Sequence, residues 1–396
     1  MIKIFRIALL VLFSTALVSE SVYAIPAFAR KYKMSCQTCH SPFPKLKAFG
    51  DEFAGNGFVL ADQDAPRYFL DTGDESLNLI RDFPMAIRMD LFVTYRNKDE
   101  KLSDFKTPFN LKFLTGGALA KDVSYYFYFF LSEGGEIVGV EDAFLMFNNL
   151  FDTELDLFVG QFQVSDPLFK RELRLSFEDY HAYKNKVGIS QIDLTYDRGL
   201  MLTYGMDTGT DFVFEVLNGT GIGVKNGFDN FDNDEFKNFF GRITQDIVEG
   251  VRIGAFGYTG KEKLMNDMGN SATNKVTMYG PDLTINLKDK LEFNFQYVHR
   301  QDDEVFLTSA STLPVAELKT KGFFGEMIYT PQGDESKWYC LGLYNWVDSD
   351  FDELDYKSAS AHFGYLINRN IRFVSEFTYD FVREYGQFGV GIVTAF

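Results

Sequence analysis

Two-residue alternation governs most of this chain. In Leu291-Glu-Phe-Asn-Phe-Gln-Tyr297 the apolar residues occupy one parity and the polar residues the other. The stretch Ile371-Arg-Phe-Val-Ser-Glu-Phe-Thr-Tyr-Asp-Phe381 does much the same, and Lys121 to Leu131 and Phe388 to Phe396 do so less cleanly. Successive side chains of a strand point to opposite faces, so each stretch predicts a strand with one apolar face. A soluble sandwich alternates in the same way. Strand length and loop pattern decide more than parity does.

The pattern predicts strands near 84–96, 107–119, 122–132, 138–149, 154–162, 196–206, 210–218, 236–246, 249–260, 274–287, 290–301, 318–330, 335–347, 355–368, 370–382 and 386–396. Most reach the roughly 9–11 residues that a tilted membrane strand needs. Short turns at Ala120-Lys121, Met206 to Gly209, Lys288-Asp289 and Asn368-Arg369 alternate with longer loops at 97–106, 163–195, 219–235, 261–273 and 302–317. Short periplasmic turns and longer outer loops mark outer-membrane barrels. The 43 Phe and 21 Tyr suit an aromatic outer surface. No internal run approaches the roughly 18 apolar residues of a transmembrane helix. The chain closes on Phe396 after a strand with Phe388, Val390 and Ile392 on one parity. Such an ending resembles the signal by which barrels are recognised for insertion. The expectation is a mainly β protein: a transmembrane antiparallel β-barrel of about 16 strands over 84–396, in contact with outer-membrane lipid. A net charge of −17 argues against a nucleic-acid partner.

Ahead of the barrel, Lys3 and Arg6, the apolar run Ile7 to Val18 and the end Val22-Tyr23-Ala24 predict a signal peptide over 1–24. Cys36-Gln-Thr-Cys39-His40 follows. Two thiols three residues apart lie on one helical turn and can each bond a haem vinyl group, and the next histidine then becomes the axial iron ligand. A redox disulfide or half a zinc site are the competing readings. No second Cys/His pair and no thioredoxin-like pattern accompany them. Cys340 stands alone, and with only four histidines the chain cannot carry many haems. The prediction is one covalent haem c on Cys36, Cys39 and His40, over a segment spanning 25–83.

That segment predicts helices over Ala27 to Met34 and Phe43 to Asn56, with Phe43, Leu46, Phe49, Phe53 and Phe58 towards the haem and Gly55 and Gly57 as the stop. About 59 residues enclose a haem poorly alone. Between His40 and Phe83 there is no Met or His for the sixth iron position. Among barrel histidines, His362 has lumen parity and is a distal candidate, the plainer reading being a hydrated lumen residue. His299 has lipid parity, and Met201 and Met278 have lumen parity. Loop 163–195, third on the outer side, carries Asp166, Arg171, Glu172, Arg174, Glu178, Asp179 and His181. It either folds into the channel or stays solvated as charge pairs. The acidic loops 229–235, 302–304 and 348–353 offer carboxylates that suit hard cations and Fe(II), without the spacing of an ordered ligand set.

An exported single C-x-x-C-H segment followed by a barrel of this length resembles the fused monohaem cytochrome–porins of the bacterial outer membrane, a group that includes iron oxidases. The resemblance covers the mature chain in architecture and Ala27 to Gly57 in motif. It implies electron transfer across the outer membrane, between an extracellular donor or acceptor, Fe(II) being one candidate, and periplasmic cytochromes or other carriers. A solute-permeable porin with an accessory or sensory haem is the other expectation.

Overall fold

The computed structural model describes residues 27–60, 69–98, 101–137 and 139–396, so the signal peptide expected over 1–24 lies outside the described residues. Sixteen strands close into one barrel. They are β1 (Met85–Asn97), β2 (Lys101–Ala120), β3 (Val123–Glu133), β4 (Gly139–Leu150), β5 (Leu155–Gln163), β6 (Tyr196–Met206), β7 (Thr210–Leu217) and β8 (Asn238–Val248), then β9 (Val251–Met265), β10 (Ser271–Leu287), β11 (Leu291–Asp303), β12 (Leu318–Tyr329), β13 (Trp338–Ser349), β14 (Tyr356–Asn368), β15 (Ile371–Asp380) and β16 (Tyr385–Ala395). Each strand pairs antiparallel with the next. The ring closes where β16 pairs β1, Gly386 opposite Asn97 and Ala395 opposite Arg88. Phe396 extends the seam: its N–H donates to the Ile87 carbonyl at 2.9 Å, and the Ile87 N–H donates back at 2.7 Å.

Burial decides between barrel and sandwich. A sandwich would bury the apolar parity. Here the polar parity is buried: Asn294, Gln296, Arg300 and Asp302 on β11, and Arg372, Glu376 and Asp380 on β15. The aromatic parity faces outwards, with Phe377 48 % exposed and Tyr365 43 % exposed. Such an inverted surface is stable against hydrocarbon, where closure also leaves no strand edge unpaired.

Two expected loops are much shorter than 97–106 and 261–273. β1 runs to Asn97 and β2 starts at Lys101, while β9 runs to Met265 and β10 starts at Ser271. Lys261 and Lys263 lie on the outer face of the β9 extension. Beyond the apolar band both strand faces can carry charge, so the alternation that signals a strand fades there while the ladder continues.

The N-terminal segment has three short helices, α1 (Ala27–Tyr32), α2 (Cys36–Cys39) and α3 (Ala48–Gly55). The helix expected from Phe43 begins only at Ala48. Pro42 and Pro44 hold residues 41–47 out of helical conformation, and His40 bridges Leu46 there. The segment lies in the lumen at the end that bears the short turns. Asn148 donates to the Gly55 carbonyl at 2.7 Å, Lys45 pairs with Glu292 at 2.7 Å, and Arg30 donates to the Met85 carbonyl at 2.7 Å. Gly57, at φ +68°, passes so close to Ser124 that a Cβ would collide with its hydroxyl. Phe58 stacks on Phe28 at 4.7 Å and on Tyr126 of the wall at 5.3 Å. No helix of the described residues is long and apolar enough to cross a membrane.

The outward parity gives a direct test. Phe377→Arg places a charge on the lipid face and should destabilise the barrel by about 2–4 kcal/mol if Phe377 sits at mid-bilayer depth. Urea unfolding in lipid vesicles reads the loss, and Thr378→Arg, on the lumen side, should cost less.

Candidate cofactor site and a filled lumen

The Cys36–His40 turn is shaped by local hydrogen bonds. Ser35 caps α2, accepting from the Gln37 N–H at 3.3 Å, and the His40 N–H donates to the Cys36 carbonyl at 2.9 Å. Both cysteines therefore lie on one helical turn. Helix α3 crosses this turn closely: a Cβ on Gly50 would lie 2.3 Å from the Cys39 carbonyl oxygen. His40 Nδ1 lies 2.9 Å from the Pro44 carbonyl. A carbonyl only accepts, so Nδ1 carries the proton and Nε2 keeps its lone pair. Burial pushes the imidazole down to about 4, which keeps it neutral at physiological pH. Burial also pushes both thiols up.

Cys36, Cys39 and His40 border a cavity of about 410 Å³ between the segment and the wall strands β1–β7. This lies within the range of pockets that hold organic cofactors. Its lining is mostly apolar and includes Phe53, Phe58, Phe158, Met146 and Met201. Arg88, Lys112 and Lys170 add cations, and Asp51, Asp166 and Glu172 add carboxylates, Asp166 being paired with Lys170. Lys112 is 6 % exposed, and its ammonium lies 3.8 Å from the Phe130 ring centre. Among the described residues no carboxylate stands within ion-pair distance of it, whereas Arg88 holds Asp90 with a two-pronged contact at 2.9 Å. Two thiols, an available imidazole nitrogen, apolar walls and a spare buried cation fit a haem bonded through its vinyl groups and bearing carboxylates. A second, larger space of about 1310 Å³, bordered by Lys45, Asp51, Glu249, Arg252 and Asp334, forms a vestibule at the short-turn end.

The rest of the lumen is filled by the third outer loop, residues 164–195. Val164, Leu175, Tyr183, Val187 and Ile192 are buried in it. Polar wall side chains hold its backbone. Glu376 accepts the Phe177 and Glu178 N–H groups at 2.7 and 2.9 Å. Asn345 accepts from the His181 N–H at 3.2 Å and donates to the Asp179 carbonyl at 2.9 Å. Arg300 donates to the Asn185 and Ile192 carbonyls, both at 2.6 Å, and Glu262 accepts the Gln191 N–H at 2.9 Å. Inside the loop, Asp179 is buried against Arg171 at 2.5 Å, Lys184 at 3.3 Å and Arg174 at 3.7 Å. Burial opposes its charge, yet these three cations hold the carboxyl well below the usual range.

His362 does face the lumen, as its parity predicts, but it is away from the cavity. Its Nδ1 meets Glu376 at 2.9 Å and its Nε2 meets the Tyr339 hydroxyl at 3.2 Å. The buried imidazole orients the carboxylate that holds the loop, and both of its ring nitrogens are taken by side chains. His299 lies on the outer face beside Tyr279. Met201 borders the cavity, while Met278 packs beside Ala182 and Tyr183 of the loop. Met146 and Lys112 were not singled out in the sequence, although Met146 shares its parity with Asp142 and Asn148. Among the described residues no group of three or more His, Cys, Asp or Glu side chains is placed to hold a metal ion.

No family model matches the chain, and no curated protein matches it by sequence. Solved structures do. The loop-deleted OmpT outer-membrane protein of Vibrio cholerae superposes with a TM-score of 0.55 at 10% identity, over 79% of this chain and 99% of that one. The anion-selective porin of Comamonas acidovorans gives 0.55 at 11% identity, over 79% and 99%. Salmonella typhi OmpF, in complex with daunomycin, gives 0.53 at 13% identity, over 80% and 98%. The chain has the porin fold, a closed 16-stranded antiparallel barrel. With its lipid-facing aromatic exterior, it is a β-barrel of the bacterial outer membrane.

Breaking a buried ion pair by removing one partner costs about 3–5 kcal/mol. Asp179→Ala should therefore loosen the loop, and Glu376→Ala, which strips the acceptor from two loop N–H groups, should do the same. Liposome swelling reads both as raised permeability to small sugars. Because the folded Asp179 value lies below the unfolded one of roughly 3.9, its contribution is complete above that pH and is lost as pH falls through the folded value. Wild-type permeability should thus stay low at neutral pH and rise only under acid well below about pH 4.

Proposed function

We propose that this barrel is an outer-membrane electron conduit carrying one haem c, as in the cytochrome–porins it resembles. The observation that carries the reading is that Cys36, Cys39 and His40, the last with its Nδ1 engaged by the Pro44 carbonyl, all border one mostly apolar cavity inside the barrel. A haem bound there supplies reversible one-electron chemistry. Cys36 and Cys39 would hold it through thioether bonds. His40, fixed by Pro44, would present its imidazole to the iron. Phe53, Phe58 and Phe158 would exclude water, and Lys112 would offset the carboxylate charge. Such a haem would serve electron transfer between an extracellular donor or acceptor, with Fe(II) a candidate, and periplasmic cytochromes or other carriers.

The filled lumen supports a conduit over an open pore, since loop 164–195 occupies the space a solute would cross. Likeness to porins favours the second reading, a solute-permeable porin with an accessory or sensory haem.

Haem staining of the outer-membrane protein should survive SDS and vanish in Cys36→Ala/Cys39→Ala. A colourless wild-type product overturns the proposal. Reduction of the extracted protein by Fe(II) at neutral pH, followed by its absorption spectrum, would identify Fe(II) as donor. Rapid swelling of wild-type liposomes in sugar solutions would favour the porin reading.

A further inference from the structure

Resting on the haem reading above, we propose that the barrel wall completes the iron site: the thioether of Met146 or of Met201 binds the iron on the face opposite His40.

The other histidines are occupied or distant. Both ring nitrogens of His362 have partners, Glu376 and Tyr339. His299 lies on the outer face, and His181 stacks on Tyr356 at 3.7 Å with its Nε2 at 3.2 Å from Glu178. The methionines that border the cavity are Met34, Met146 and Met201. Met34 precedes Cys36 by two residues and is tied to the same turn as the proximal histidine.

The barrel itself supplies the sidedness. The Cys36–His40 turn lies towards β13: Gln37 donates to the Asp334 carbonyl at 2.5 Å and to Glu335 at 2.9 Å, just before that strand, and His40 and Phe43 share a narrow gap with Trp338 and Tyr339. In the ring of sixteen, β5 is eight strands from β13 and therefore opposite it. Met146 on β4 faces Phe158 on β5, and Phe158 faces Met201 on β6, in one row across that far wall. The cavity spans from the motif to this row. The border of the cavity thus carries His40 on the side towards β13 and the Met146–Phe158–Met201 row on the far wall.

The chemistry suits the place. A neutral thioether sulfur donates a lone pair into the sixth position, and no proton or electron leaves with it. Both side chains are buried, 2 % and 5 % exposed, among Phe53, Phe58 and Phe158, so the bond would form without competing water. Soft sulfur favours the ferrous form and raises the potential relative to an open or water-ligated site.

The test uses the full-length haem protein in detergent. In the wild type, near-infrared magnetic circular dichroism of the oxidised form should show the thioether-to-iron charge-transfer band, and the ferrous form should bind carbon monoxide slowly. One of the two single variants, Met146→Leu or Met201→Leu, and the double variant should lose the band, bind carbon monoxide readily and show a lower potential. Retained haem stain and heat-modifiable gel migration show that the barrel is intact. Met278→Leu, outside the cavity, should change nothing. A wild type without the band, a double variant that keeps it, or loss caused by Met34→Leu alone overturns the inference and leaves the haem reading standing. A wild type without haem overturns the haem reading instead.

Discussion

Within hydrocarbon no water can satisfy a backbone amide, and the rest of this molecule depends on that constraint. It requires the seam between β16 and β1, and it drives the apolar parity outwards. The polar parity is then confined to the lumen. Buried polar groups are costly without partners. Glu376, Asn345, Arg300 and Glu262 find theirs in the backbone of loop 164–195. The filled lumen follows from the same constraint that closes the barrel.

The cofactor site uses both parts of the chain. Helices of four to eight residues have little stability alone, and the segment around them is too small to build a core. Its aromatic side chains pack on one another and on Tyr126, Phe144 and Phe158 of the wall in one core. The division at residue 83 separates two sequence styles, but the apolar core runs across it.

Much of this was legible in the sequence. Strand number and short turns follow from strand length and loop pattern, and the lumen placement of His362, Met201 and Met278 follows from parity, since a period of two translates directly into in or out; the third loop was legible as a long outer loop, its entry into the lumen only as one of two readings. The loop at 97–106 was misread because Lys101 to Lys106 continue a ladder where the surroundings no longer demand alternation. The helix at Phe43 was misread because apolar spacing outweighed Pro42 and Pro44. The partners of His362 were beyond reach. Parity gives the direction of a side chain, but the meeting of Glu376 with residues 177 and 178 is a contact across about 200 positions of chain.

The vestibule at the short-turn end has a consequence for access. With loop 164–195 laid across one half and space left in the other, the molecule is shaped more like a cup than a tube. Ser41, Lys45, Lys47 and Asp51 of the segment border that space. Whatever enters the cup from the short-turn end therefore meets charged side chains that directly follow the Cys36–His40 turn in the chain.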